Sequence, residues 1–431
     1  MSFEVEEHRL ESICLLVVDC PHATPKWTDS GVVVLRNQNI KAGRLDLSTP
    51  SFTEEEHYKG RTKRATPTAG DIVITREAPM GDVCLIPEGL RCCLGQRQVL
   101  LRPDPSKVDA RFLLFALQSP YIQFQIGWNQ GTGSTVSNLR IPVLESLKIP
   151  TPSMSRQVEI ATTLGALDDR ITLLRATNAT LEVIAQALFK SWFVDFDPVR
   201  AKLEGRAPEG MDEVTAALFP DGFEESELGL VPRGWRVLPI GDAVEAVGGA
   251  TPDTKNPAYW EPAIHCWTTP KDLSGIAAPV LLDTERKLSD EGLAKIGSGA
   301  LPIGTLLLSS RAPIGYLALA QVPLAINQGY IAMLPGGLLP PLYMLFWCRQ
   351  NMENIKGRAN GSTFMEISKK AFRPIPALVP PPEIVQAFVE VAGVLFERLI
   401  ENEKQAQTLA TLRDTLLPRL ISGALRLPEV S

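Results

Sequence analysis

The chain has no surplus of positive charge: 43 Lys and Arg stand against 49 Asp and Glu, a formal net charge of −6. A protein that held nucleic acid by bulk phosphate neutralisation would show a basic excess, so any such binding has to come from local clusters. Charge is segregated along the chain. Residues 1–150 and 228–378 are balanced or slightly basic, and acid collects between them, as in DFDPVRAKLEG and FPDGFEESELG. No apolar run approaches the roughly 18 to 20 residues of a membrane span, so no membrane role is expected. Histidine is scarce, limited to His8, His22, His57 and His265, and the Cys20, His22 pair lacks clustered partners for zinc. Seven cysteines occur without a CxxC pair, and only Cys92 and Cys93 are adjacent. With an acidic N-terminus (MSFEVEEHRLESICLL) in place of an export signal, they read as reduced, mostly buried thiols of a cytoplasmic protein.

Catalytic groups are also missing. There is no P-loop for ATP hydrolysis. A DNA methyltransferase needs a glycine-rich loop for its methyl donor and a polar-Pro-Pro-aromatic loop for a flipped base. Asn256, Pro257, Ala258 and Tyr259 lack the middle proline, and Gly297, Ser298, Gly299 is a weak stand-in for the first loop. Pro252, Asp253 and Lys255 form a fragment of a nuclease site without a well-spaced second carboxylate. The expectation is a protein with no catalytic residue, metal or cofactor of its own.

What is present is a duplication at a spacing of about 230 residues, far longer than a solenoid period. GDIVITREAPMG from Gly70 parallels GTLLLSSRAPIG from Gly304. Gly95, Gln96, Arg97 parallels Asn327, Gln328, Gly329, and Gly133, Ser134, Thr135 parallels Gly361, Ser362, Thr363. Short apolar runs broken by Gly and Pro, such as 32–35, 72–75, 305–309 and 330–334, predict strands, and 110–118 and 342–353 predict helices. Each half is therefore expected to be an α+β domain.

Each half then reaches a proline stop, IPTPS or VPPPE, and a heptad pattern begins. Leu164, Leu167, Ile171, Leu174, Leu181, Ala185 and Leu188 mark the first seam, with Asn178 inside it. Leu395, Leu399, Ala406, Leu409, Leu416 and Leu420 mark the second, interrupted by Asn402 and Arg413. Two register-matched stripes in one chain predict an antiparallel coiled coil, with each helix packing only on its own domain as the competing assignment.

The polar loops of each half are the candidates for nucleic-acid contact. Arg76 and Arg311 stand at strand ends before the Ala-Pro turns, placed to aim a guanidinium fork at a guanine edge or a phosphate, with a surface ion pair as the competing assignment. The Gly-Ser-Thr loops, 133–135 and 361–363, present amides and hydroxyls that suit close approach to a phosphate, and also suit plain turns. Gln96, Arg97, Asn327 and Gln328 lie on the matching connectors. Basic clusters at Lys59, Arg61, Lys63, Arg64 and at Lys356, Arg358, Lys369, Lys370, Arg373 supply an electrostatic component or simply a solvated face.

These residues carry a resemblance to a known family. ALFKSWFVDFDPVRAKLEG (187–205), LFPDGFEESELGLVPRGW (218–235), NPAYW, TTPKDLSG, SSRAPIGYLA, NQGYIAML and GSTFMEIS resemble the specificity subunit of Type I restriction-modification systems. The resemblance implies an α+β architecture of two tandem target-recognition domains separated by two long antiparallel coiled-coil helices. The expected divisions are recognition domains at 1–152 and 228–380, helical spacers at 153–205 and 381–425, and a linker at 206–227. It further implies a bipartite asymmetric site on double-stranded DNA, two methyltransferase subunits docked on the helices and domain flanks, and restriction/translocase subunits joining for cleavage. The competing class is a coiled-coil adaptor whose lobes bind protein instead of DNA.

Overall fold

The computed structural model describes residues 5–77, 79–128, 138–361 and 365–427. The chain divides into two compact units, one made of Met1–Ile171 with Gln407–Ser431, the other of Thr172–Ala406. The first unit thus takes its material from both ends of the chain.

Two sheets form the body of the first unit. A four-stranded antiparallel sheet has the order Cys14–Asp19, Gln98–Pro103, Ile72–Thr75, Val83–Leu85. A three-stranded sheet has the order Phe52–Thr53, Val32–Leu35, Cys92–Leu94, its last two strands parallel. Side chains alternate across a strand, and the sequence uses both faces. Ile72, Ile74, Val99 and Leu101 pack toward helix Ala110–Gln118, while Val73 and Leu100 pack toward Leu35, Cys92 and Leu94. That is why these strands read as continuous apolar runs, each fully buried Val, Leu or Phe contributing about 1.5–3 kcal/mol. Helix Ala110–Gln118 starts where the Asp109 carboxylate accepts from Phe112 N at 2.8 Å, a side-chain cap on an otherwise unpaired amide.

The second unit repeats this plan. Its larger sheet runs Ala246–Val247, Tyr330–Met333, Leu306–Ser309, Leu317–Ala320, Val280–Leu281. Its smaller sheet runs Arg286–Leu288, His265–Thr268, Leu324–Ile326, again with the last two parallel. Leu306, Leu308, Ile331 and Met333 face one cluster, and Leu307, Tyr330 and Ala332 face the other. Apart from the added parallel edge strand Val280–Leu281, the internal duplication in the sequence is a duplication of strand order and pairing sense.

Two 40-residue helices, Met154–Phe193 and Pro382–Ile421, complete the units. In the first unit Ile160 and Leu164 share a core with Leu417, Leu420 and Ile421. In the second, Phe189 meets Phe388 with ring centroids 5.7 Å apart, and Asn178 meets Leu399 and Asn402. Rising numbers on one helix meet falling numbers on the other, so both pairings are antiparallel. The polar interruptions of the heptads answer one another. Asn402 Nδ2 donates to Asn178 Oδ1 at 2.9 Å, and Asn178 Nδ2 donates to Leu399 O at 3.1 Å. Arg413 Nη1 meets Asp168 Oδ1 at 2.6 Å, Asp168 being buried where the heptad reading had placed Leu167 at the seam. The stretch 206–227, expected as a linker, is folded: helix Glu213–Leu218 and strand Phe223–Ser226 flank a fully buried Phe219.

Candidate nucleic-acid interface

Three segments meet at one end of the first unit's sheets. Strand Ile72–Thr75 ends at Arg76, residues 95–97 join strand Cys92–Leu94 to strand Gln98–Pro103, and residues 138–139 approach from the side. Arg76 N donates to Arg97 O at 2.8 Å, and Leu139 N donates to Arg76 O at 3.0 Å. The second unit makes the same junction, with Ser310 N donating to Gly329 O at 2.8 Å and Ile367 N to Ser310 O at 3.0 Å. These backbone bonds set the register of the repeat. Arg76 is the counterpart of Ser310, Glu77 of Arg311, Arg97 of Gly329 and Asn138 of Glu366. Arg76 and Arg311, paired in the sequence reading by their nearness to the Ala-Pro turns, are one residue out of register with each other.

The side chains at this junction differ between the units. Arg76 is buried: its Nη1 donates to both Asp19 carboxylate oxygens at 2.8 Å, its Nε to Leu139 O at 2.9 Å and its Nη2 to Asn138 Oδ1 at 3.2 Å. Its fork is spent inside the protein. Arg97, by contrast, is exposed, its backbone in the left-handed region with φ 65°, and its Nε lies 3.1 Å from Glu77 Oε2. Gln96 donates from Nε2 to His22 O at 2.6 Å and to Thr24 Oγ1 at 3.2 Å. In the second unit Arg311 is half-exposed with Nη1 3.6 Å from Glu366 Oε2. Asn327 Oδ1 accepts from Gly329 N at 2.8 Å, tightening the connector, and Gln328 Oε1 accepts from Thr251 Oγ1 at 2.7 Å. Behind the connector, Thr268 Oγ1 lies 3.1 Å from the buried Tyr330 hydroxyl, whose pKa burial pushes up.

Lys369 and Lys370 open the short helix Lys369–Phe372 and are exposed. Lys369 belongs to the same junction, because a Cβ built on Gly248 would lie 3.3 Å from its Nζ. Gly361 is exposed with φ 123°, beside Asn360, which pairs with Glu366 through two backbone bonds of 2.9 Å. Gly133, Ser134, Thr135, Ser362 and Thr363 lie outside the described residues. Arg61 leaves the basic cluster proposed for it: it is buried and donates to the carbonyls of Leu94, Gly95, Pro21 and Ala23 at 2.9–3.1 Å. Asp19, Glu77, Asn138 and Glu366 were not singled out from the sequence. Aligning GDIVITREAPMG on GTLLLSSRAPIG residue by residue sets Glu77 against Arg311 and would have drawn attention to that position.

Among the described residues no group of three His, Cys, Asp or Glu side chains is placed to hold a metal ion, and no helix is long and apolar enough to cross a membrane. Asn256 of the tyrosine loop caps a short turn, its Oδ1 accepting from Ala258 N at 3.1 Å.

The family model of the Type I restriction modification DNA specificity domain matches residues 5–183 and again 232–411, once in each half. The chain belongs to this family. It is 27% identical over 367 residues to the Type I restriction enzyme HindI specificity subunit of Haemophilus influenzae, covering 75% of this chain and 79% of that one. It is also 27% identical over 374 residues to the Type I restriction enzyme MjaIX specificity subunit of Methanocaldococcus jannaschii, covering 84% and 79%. The crystal structure of the Type-I restriction-modification system S subunit from M. genitalium shares the fold, with a TM-score of 0.51 at 17% identity over 100% of this chain and 97% of that one.

The runs that carried the resemblance now have a physical place in this specificity-family chain. In 187–205 and 218–235, Trp192 meets Phe219 edge-on at 5.3 Å, and Phe193 lies 6.0 Å from Trp235 and 5.2 Å from Phe388. This aromatic core ties the last turns of the first long helix to the first turns of the second. Such rings prefer edge-to-face contact, adding about 0.5–1.5 kcal/mol per pair beyond burial.

Proposed function

We propose that this chain is the sequence-reading subunit of a Type I restriction-modification complex and grips a two-part, asymmetric site on double-stranded DNA. Each unit takes one half-site. The readers are Gln96, Arg97 and the 133–135 loop in the first unit, and Arg311, Asn327, Gln328, the 361–363 loop, Lys369 and Lys370 in the second. Arg76 supports the first group from behind. The chain performs no chemistry: two adenine methyltransferase subunits dock on the long helices and domain flanks, and restriction/translocase subunits join where cleavage occurs. It works in the cytoplasm, beside the DNA it marks.

The observation that carries this reading is the junction itself. Two units share strand order and backbone bonds there, yet present Glu77 against Arg311 and Arg97 against Gly329. A shared scaffold with changed side chains is what reading two different sequences requires, since the scaffold fixes position and the side chains select base edges. Arginine and glutamine are the residue types whose forks match guanine and adenine edges in the major groove.

The test is to assemble the chain with methyltransferase subunits and map the methylated adenines across a genome. A split, asymmetric motif is expected, and exchanging the second unit's reader residues should alter one half of it alone. Duplex binding by the assembly should fall with added salt. An assembly that binds duplex without sequence preference, or with no salt dependence, would leave the adaptor class standing and overturn the reading.

A further inference from the structure

In the first unit a continuous line of side chains runs from the interior to the exposed Arg97. Asp19 holds Arg76 Nη1 at 2.8 Å, Arg76 Nη2 holds Asn138 Oδ1 at 3.2 Å, Asn138 Nδ2 donates to Glu77 Oε1 at 2.7 Å, and Glu77 Oε2 meets Arg97 Nε at 3.1 Å. Exposure is lowest at Arg76 and rises from there outward, the side chains of Asp19, Arg76, Glu77 and Arg97 being 18%, 10%, 21% and 57% exposed. We propose that Asp19, Arg76, Asn138 and Glu77 are positioning residues that fix the direction of the Arg97 guanidinium, and so set which base edge the first unit selects. This deepens the reading above and rests on Arg97 facing DNA.

Three observations support it. An isolated exposed Arg–Glu pair holds its partners weakly, because ordering two long side chains costs nearly what the attraction returns. Here Glu77 is already held on both sides, by Asn138 at its other oxygen and by Asn37 Nδ2 at its backbone carbonyl, 2.5 Å away. The ordering cost is therefore largely met before Arg97 arrives, which is how a supporting layer makes a binding group selective. Second, Arg97 sits at φ 65°, in the left-handed region that disfavours a side chain, whereas its counterpart Gly329 does not take a positive φ. Strain kept at an exposed connector marks a side chain with a task.

Third, the line is replaced as a set in the other unit. Strand pairing makes Val247 the counterpart of Val18, since they face Ala332 and Leu100 at the same level. Asp19 then corresponds to Gly248, Arg76 to Ser310, Glu77 to Arg311, Asn138 to Glu366 and Arg97 to Gly329. The second unit has a direct Arg311–Glu366 pair in place of the relay. Side chains that act only to hold a shared backbone would have no reason to change together while the backbone bonds stay.

The experiment uses the full chain assembled with its methyltransferase subunits and measures binding to duplexes carrying each single base change in either half-site. Arg97→Ala is expected to lower discrimination at one base pair of the first half-site by roughly 10- to 100-fold. Glu77→Ala and Asn138→Ala, which keep Arg97, are expected to lower it at that same base pair by about 3- to 10-fold, with second half-site discrimination unchanged. If Arg97→Ala acts but neither supporting variant does, the positioning role is overturned and the DNA-facing role of Arg97 survives. If Arg97→Ala changes no base preference, the reading beneath the proposal fails as well.

Discussion

The buried Arg61 helps hold the first unit's connector. Arg61 has no carboxylate partner among its contacts and spends its guanidinium on four backbone carbonyls, those of Pro21, Ala23, Leu94 and Gly95. It clamps the segment after the first long strand onto the connector that carries Gln96 and Arg97. A lysine at this site has one ammonium and cannot span those acceptors, so several buried carbonyls lose their donor. Arg61→Lys should therefore cost roughly 2–3 kcal/mol of stability in denaturant unfolding, and a change within about 0.5 kcal/mol would contradict the assignment. The thiols give a second residue-scale test. Burial pushes Cys14, Cys84 and Cys92 up to about 12 and Cys93 to about 11 from the ordinary 9.0. A pKa raised on folding gives stability that is complete below the unfolded value and lost as pH climbs through the folded one. The native protein should thus lose stability between pH 9 and about 12, and thiolate absorbance should develop near pH 9.0 only after unfolding. Native titration of these four thiols near their ordinary value would refute the burial argument.

The elements of this fold were legible to very different degrees. Strands such as Val32–Leu35 and Ile72–Thr75 and helix Ala110–Gln118 coincide with the sequence-based bounds, because their apolar runs, turns and caps are local signals. The heptads were legible too. What answers each polar interruption was not, because Asn178 and Asn402, or Asp168 and Arg413, are joined only by the stagger of two helices more than 200 residues apart in sequence. The asparagine pair carries an element-scale prediction. Asn178→Leu leaves the buried Asn402 amide without its acceptor and should cost about 1–3 kcal/mol. Replacing both by leucine should restore much of that loss, since an apolar pair in a helix seam is commonly at least as stable as a polar one, while register selectivity weakens. A double-mutant cycle in which the two single losses simply add would show that the pair is not coupled.

At the scale of the whole molecule, the duplication was visible because glycine, proline and strand length are dictated by the backbone, which both halves share. The proposed reader residues were only partly distinguishable, because they differ in exposure and partners. Arg76 and Arg97 look alike in sequence, yet one is buried against Asp19 and the other projects. The division of the chain was hidden as well: Gln407–Ser431 joins the first unit, an assignment that depends on Leu417, Leu420 and Ile421 meeting Ile160 and Leu164. Each long helix consequently serves both units, one part in each.

If the long helices set the distance between the two half-sites of the proposed function, their length is a measurable parameter of the DNA motif. Inserting one heptad into each helix, beside Asn178 and beside Asn402, keeps the apolar seam in phase and preserves both pairings. At ~1.5 Å per residue it adds about 10 Å, or about three base pairs at ~3.4 Å each. Methylation mapping of the assembled variant should return the same two half-sites with an unread spacer longer by about three base pairs. The outcome separates ruler from reader, since no side chain at either junction has been touched. An unchanged spacer, or altered bases within a half-site, would mean that the helices do not measure the DNA.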